Sequence, residues 1–216
     1  MNTPGKTGAK KPREIEAKFD ASLAVFRALE RLEELDGWRV TERRSVQLRD
    51  SYWDTPDHRL ARDECTLRVR ELDGAPEGEL TFKGKPVRGG RTEETVSIRA
   101  GTGPRQWQRV PAARPILDAL RALVSLSQLR QDVVLLNPRR ELVLKKGNAY
   151  EVLSLDEMRI EGQPYAKRYV ELELKRGPRA GHDALTRALA ERFTLKESKK
   201  GKVQAARYWL AQRASG

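Results

Sequence analysis

Two stretches of this 216-residue chain repeat one order of charges. Glu14, Glu16 and Lys18 stand near the start, and Glu171, Glu173 and Lys175 near the end, each at every second position. The same alternation places Arg68 with Arg70, Lys83 with Lys85, Arg91 with Glu93, and Arg139 with Glu141, while Asp156 follows Ser154 at the same spacing. Residues two apart share one face of a strand, so these acids and bases would line common surfaces. Bases alone suit an anion. Carboxylates in the same place would repel it unless a cation lay between them. Mg²⁺ or Mn²⁺ fits that need, because each prefers oxygen ligands and shares its shell with phosphate. Phosphoryl transfer then rests on positioning and charge neutralisation, with one metal ion on the phosphates and a second activating water.

Bulk composition narrows the partners. Lys and Arg number 43 against 31 Asp and Glu, a formal +12 that favours anionic ligands. Part of that excess is a basic stretch with no acid (Lys6, Lys10, Lys11, Arg13), so residues 1–12 read as a disordered tail ahead of one domain over 13–216. Cys65 is the single cysteine, which excludes an intrachain disulfide and reads as a packed thiol. His58 and His182 fall outside the charged alternation and read as surface residues, so a zinc site is not expected. No Ser-His-Asp or Cys-His set and no phosphate-binding Gly-rich loop is visible. Apolar runs long enough for a membrane span and an N-terminal signal core are both missing, so the expectation is a soluble cytoplasmic protein without membrane contact.

The elements that must position these residues follow from periodicity. Strands read over 13–19, 38–54, 65–72, 79–85, 92–100, 133–145, 149–161 and 166–176. Leu23, Phe26, Leu29, Leu32 and Leu35 recur at helical spacing after Asp20 as cap, with Gly37 as the stop. Further helices open at Pro115, at Asp183 as cap, and at Val203. Opposite the charges, the strands carry apolar residues such as Ile15, Ala17 and Phe19, or Val170, Leu172 and Leu174. The helices need an apolar surface, and the outside of the sheet offers one. The expected fold is α+β: an eight-stranded antiparallel barrel forming a tunnel, charges inward, helices packed outside. Charges so enclosed cost several kcal/mol each, roughly, unless paired or met by a ligand.

The ordered motifs resemble the CYTH domain, the triphosphate tunnel metalloenzyme family. Glu14-Ile15-Glu16-Ala17-Lys18 is similar to its ExExK signature, and Tyr52-Trp53-Asp54-Thr55-Pro56 to its tyrosine-aromatic-aspartate turn. Leu67-Arg68-Val69-Arg70, Thr81-Phe82-Lys83, Arg91-Thr92-Glu93-Glu94, Asn137-Pro138-Arg139-Arg140, Leu155-Asp156 and Val170-Glu171-Leu172-Glu173-Leu174 follow in the family's order, and Lys202 resembles its C-terminal lysine. Gly201 departs from the serine often found before that lysine.

The resemblance implies that Glu14, Glu16, Asp156, Glu171 and Glu173 hold Mg²⁺ or Mn²⁺. Lys18, Arg68, Arg70, Lys83, Arg140 and Lys202 would grip phosphates, with Glu16, Lys83 and Glu173 closest to the chemistry. Strand parity favours Arg139 over Arg140, and the choice stays open here. Lys85, Arg91 and Glu93 complete the expected lining. Family members cleave inorganic or thiamine triphosphate or RNA 5′-triphosphates, or cyclise ATP. Hydrolysis of inorganic triphosphate is the leading expectation. A class IV-type adenylate cyclase, or a non-catalytic binder of polyphosphate or RNA 5′ ends, is the alternative.

Overall fold

The structure is a computed structural model that describes residues 15–87 and 91–214. The basic tail, Glu14 and the turn at Arg88, Gly89 and Gly90 lie outside the described residues.

Among the described residues, ten strands and six α-helices follow along the chain. They are β1 (Glu16–Ala21), α1 (Leu23–Glu30), β2 (Glu34–Leu35), β3 (Trp38–Asp54), α2 (Arg59–Arg62), β4 (Thr66–Leu72), β5 (Glu77–Lys83) and β6 (Glu93–Arg99), then α3 (Pro104–Trp107), α4 (Arg114–Arg121), β7 (Arg130–Lys146), β8 (Ala149–Ile160), β9 (Ala166–Arg176), α5 (Arg179–Phe193), β10 (Lys196–Glu197) and α6 (Lys202–Ala214). They form one antiparallel sheet in the order β10-β1-β9-β8-β7-β3-β4-β5-β6, with β2 paired to β3 beside that path.

Closure into the expected barrel is not seen. Among the described residues the path ends at β10 and at β6 with no pairing that joins them, so the sheet stays open. The long strands β3 and β7 pair with each other over nearly their full length, whereas β4 covers only Leu48–Trp53 of β3.

Register sorts the side chains onto two faces. On one, Phe19, Leu142, Leu144, Leu153, Leu155, Val170 and Leu172 pack with Phe26 and Leu29 of α1 and Leu185 and Leu189 of α5. Further along the same face, Leu67, Val69, Leu80, Phe82 and Ile98 pack with Leu60 of α2, Trp107 of α3 and Ile116, Leu117 and Leu120 of α4. Each fully buried leucine among these stabilises the fold by about 1.5–3 kcal/mol. Cys65 is buried beside this second cluster as a free thiol, and it donates to the Asp63 carbonyl.

The sixth helix departs from the expected outer packing. Val203 and Ala206 of α6 meet Tyr52, Val133, Leu135, Met158, Ile160 and Tyr169, which lie on the charged face. α6 therefore covers one end of that face.

Local caps also differ from the sequence reading. Ser22, not Asp20, caps α1, its Oγ accepting from Val25 N at 3.3 Å, while Asp20 pairs within β1. α1 ends at Glu30, and Leu32 and Leu35 enter the core from the following segment. α5 starts at Arg179, four residues before Asp183, with Pro178 at its N-cap. Gly177 makes that start possible: its φ is +137°, and a Cβ there would stand 2.7 Å from the Ala149 Cβ.

Candidate functional site

The cross-strand register brings most of the expected site residues onto one face. Glu16 stands opposite Glu173, and Lys18 opposite Glu171. Glu171 faces Ser154, and Asp156 lies between Tyr169 and Arg139. On the other side of β7, Asp50 stands opposite Arg70, Arg68 opposite Thr81, and Lys83 opposite Glu93. Like charges directly opposite each other, as in Glu16 and Glu173, destabilise a sheet. Glu171 and Asp156 share that face, and carboxylates of this kind offer only oxygen donors, the type a hard divalent cation prefers.

The centre is a buried ion network. Asp156 is fully buried. Its Oδ1 accepts from Asn137 Nδ2 at 2.8 Å and Arg139 Nε at 2.7 Å, and its Oδ2 from Arg139 Nη2 at 2.9 Å and Lys202 Nζ at 2.5 Å. Glu171 Oε2 takes Arg139 at 3.1 Å and Lys202 at 2.9 Å. Burial opposes the charge on Asp156, but Lys202 and Arg139 outweigh it and hold the carboxyl well below the usual range. For Lys202 burial lowers the pKa, and Asp156 and Glu171 reverse that to a net rise. Lys18 goes the other way: burial, helped by the nearby Lys202 charge, pulls it down against the attraction of Glu171. Tyr169 is fully buried beneath three ammonium groups, those of Lys167, Lys18 and Lys202, at 4.9, 5.7 and 5.9 Å from its ring centre. Cations at that range are drawn to the ring face.

A second buried pair stands two strands away. Arg70 donates to both Asp50 oxygens, at 2.7 and 2.8 Å. Burial opposes both charges, and the bidentate contact outweighs it, depressing the Asp50 carboxyl and raising the Arg70 guanidinium. The two networks sense each other: Lys202 acts on Asp50, and Asp156 on Arg70.

Other expected residues lie at the margins or elsewhere. Lys83 pairs with Glu93 at 2.9 Å, half-exposed, at the β5–β6 end. Glu173 pairs with Lys175. Lys85 is exposed beyond β5. Arg91 clasps the carbonyls of Gly84 and Glu64 and so serves the local chain path. Arg140 is turned to the opposite face, where it pairs with Glu30 and lies over Phe26. Of the two arginines between which the sequence left the choice open, Arg139 is the one on the charged face. Glu14 lies outside the described residues.

Sequence reasoning missed Asp50, whose strand carries no alternating charges around it. It missed Lys167, which shares the face and pairs with Asp20 at 3.1 Å. It also placed His182 at the surface. The structure buries it under α5, with Nδ1 2.8 Å from Glu151 of β8. His182 precedes Asp183 in the sequence, and only the earlier start of α5 turns it inward.

Asp54, His58 and Asp132 form a separate group whose potential ligand atoms lie within 4.8 Å. Arg207 of α6 already bridges it, at 3.1 Å from Asp54 and 2.6 Å from Asp132. Asp54 also accepts from the backbone N–H groups of Thr55, Leu60 and Ala61, which fixes the turn into α2. Through Arg207 this group anchors α6. A surface cavity of about 840 Å³ between Thr55, Arg59 and residues 121–128 holds none of the expected site residues.

The CYTH domain family matches residues 12–206. The chain belongs to the CYTH family. Solved structures agree at the level of fold. An adenylate cyclase candidate from Bacillus halodurans has a TM-score of 0.62 at 21% identity over 89% of this chain and 96% of its own. An adenylyl cyclase candidate from Hippeastrum, whose structure is described as revealing a dominant triphosphatase activity, has a TM-score of 0.61 at 15% identity over 91% and 96%. A protein of Pyrococcus horikoshii OT3 follows with 0.55 at 19% over 90% and 98%. No curated protein is similar enough in sequence to be matched with the chain. Among the described residues of this CYTH protein, no helix is long and apolar enough to cross a membrane.

Proposed function

We propose that this CYTH protein hydrolyses a triphosphate with Mg²⁺ or Mn²⁺, and that inorganic triphosphate is its substrate. The observation that carries this reading is the single face on which Glu16, Glu171, Glu173 and Asp156 meet Lys18, Arg68, Arg70, Arg139 and Lys202. Glu16, Glu171 and Glu173, with Asp156, would hold the divalent ion. When bound, that ion neutralises phosphate oxygens and makes water a better nucleophile. Arg68, Arg70, Arg139, Lys18 and Lys202 grip the phosphate chain and stabilise the charge that develops on it. Glu16 or Glu173 orients the attacking water and takes its proton. The water oxygen bonds to the terminal phosphorus, the bridging P–O bond breaks, and orthophosphate and pyrophosphate leave. Lys83, at the far edge, contacts the distal phosphate. The candidate names of the Bacillus halodurans and Hippeastrum relatives keep ATP cyclisation among the outcomes to be measured.

The test is direct. Purified protein with Mg²⁺ or Mn²⁺ is given inorganic triphosphate, thiamine triphosphate, ATP or RNA bearing a 5′-triphosphate, and orthophosphate and cyclic nucleotide are measured. Orthophosphate from inorganic triphosphate is expected, with at least roughly 100-fold loss in Glu16→Gln and in Lys83→Ala. Full activity in Glu16→Gln rejects the metal role. Cyclic nucleotide as the main product rejects hydrolysis.

A further inference from the structure

We propose that Asn137 is a positioning residue for the metal-holding carboxylate of Asp156, and that its Oδ1 receives a hydrogen bond from a water on the bound divalent ion. This rests on the reading of the site given above. Asn137 lies on β7, between the strands of Asp50 and Asp156, and is only 2% exposed. Its Nδ2 donates to Asp156 Oδ1 at 2.8 Å, which fixes which end of the amide faces the carboxylate. The other end, Oδ1, is buried and has no hydrogen-bond partner among the described residues. Buried polar atoms are almost always partnered, so this acceptor marks a place for a donor that the chain does not supply. A metal-bound water is such a donor.

The donors on Asp156 also differ in charge. Arg139 and Lys202 are cationic, and a divalent ion arriving at Asp156 repels both. Asn137 is the neutral donor of the set and stays in place. It would hold the carboxylate in one orientation. Partners of this kind behind a metal ligand typically change metal affinity 10- to 100-fold when removed.

The experiment measures Mn²⁺ binding to the full chain, without substrate, by calorimetry and by loss of the free-ion electron paramagnetic signal. Wild type, Asn137→Leu, Asn137→Ser and Glu171→Gln are compared, and thermal denaturation monitors folding. Asn137→Leu keeps the volume and removes both polar ends, so about 10- to 100-fold weaker Mn²⁺ binding is expected. Asn137→Ser keeps a donor and an acceptor and is expected to recover part of that loss. It also decides the matter if the leucine variant does not fold. Wild-type affinity in a folded Asn137→Leu, or a folded Asn137→Ser that binds no better than a folded Asn137→Leu, overturns the assignment while leaving the site reading intact. No Mn²⁺ binding by wild type, with Glu171→Gln indistinguishable from it, rejects the site reading itself.

Discussion

Arg139 and Arg140 are adjacent in sequence and opposite in environment. Arg139 is 14% exposed and bonded to Asp156 and Glu171, whereas Arg140 is 53% exposed and lies against Glu30 on the other face. Arg139→Met is therefore expected to lose about 2 kcal/mol of stability in denaturant titrations and most triphosphate turnover. Arg140→Met is expected to lose less than about 1 kcal/mol and to keep its activity. A reversed order would place the wrong arginine at the site. Asp50 gives a pH prediction at the same scale. Burial works against its charge, but Arg70 more than compensates and depresses its pKa. A depressed carboxyl adds stability that is complete above the unfolded value, about 3.9, and is lost as pH falls through the folded value. Melting curves from pH 6 to pH 2 should fall steeply below about pH 4 in wild type. Asp50→Asn should melt lower at pH 6 and lose less on acidification. Parallel pH profiles in the two proteins would remove Asp50 from the acid response.

At the scale of elements, α5 and α6 are tied to the sheet by opposite means. α6 is fastened to the charged face by Lys202 and Arg207. α5 is fastened to the apolar face by leucines and by the buried His182–Glu151 contact. Burial raises the Glu151 pKa despite the opposing pull of His182, and one carboxyl oxygen has no hydrogen-bond partner among the described residues. A raised carboxyl pKa contributes stability that is present below the unfolded value and lost as pH rises through the folded one. Glu151→Gln keeps a hydrogen bond to His182 without the charge. Its melting temperature is expected to equal or exceed wild type at pH 8, with the difference vanishing near about pH 4. A variant less stable than wild type at pH 8 would show that the ionised pair holds α5.

At the scale of the whole molecule, the sheet gathers charge on one face and covers the other with four helix-bearing segments. A polyanion with a divalent ion would match the mixed charges of that face. Any ligand that binds only the folded state adds stability by mass action, about 2.7 kcal/mol at 100 times its dissociation constant. For a chain of this size that is roughly a 5–10 °C rise in melting temperature. Inorganic triphosphate with Mg²⁺ is expected to give such a rise, and sodium sulfate at equal ionic strength is not. Equal shifts from both would point to general screening of the +12 charge.

The alternation of acid, base and apolar residues in 166–176 and in the first strand was enough to identify strands, to assign their two faces and to recognise the CYTH motifs. Those features repeat over two residues, so local order in the chain carries them. Local order could not say whether Arg139 or Arg140 turns inward, because β7 could be entered at either parity until β3 and β8 paired with it. It could not reveal Asp50 or Asn137, whose partners Arg70 and Asp156 lie 20 and 19 residues away. Nor could it foresee that α6 crosses the charged face or that no pairing joins β10 to β6 among the described residues, since both depend on contacts between distant parts of the chain. Side-chain period is a property of neighbours along the backbone, and burial is a property of neighbours in space.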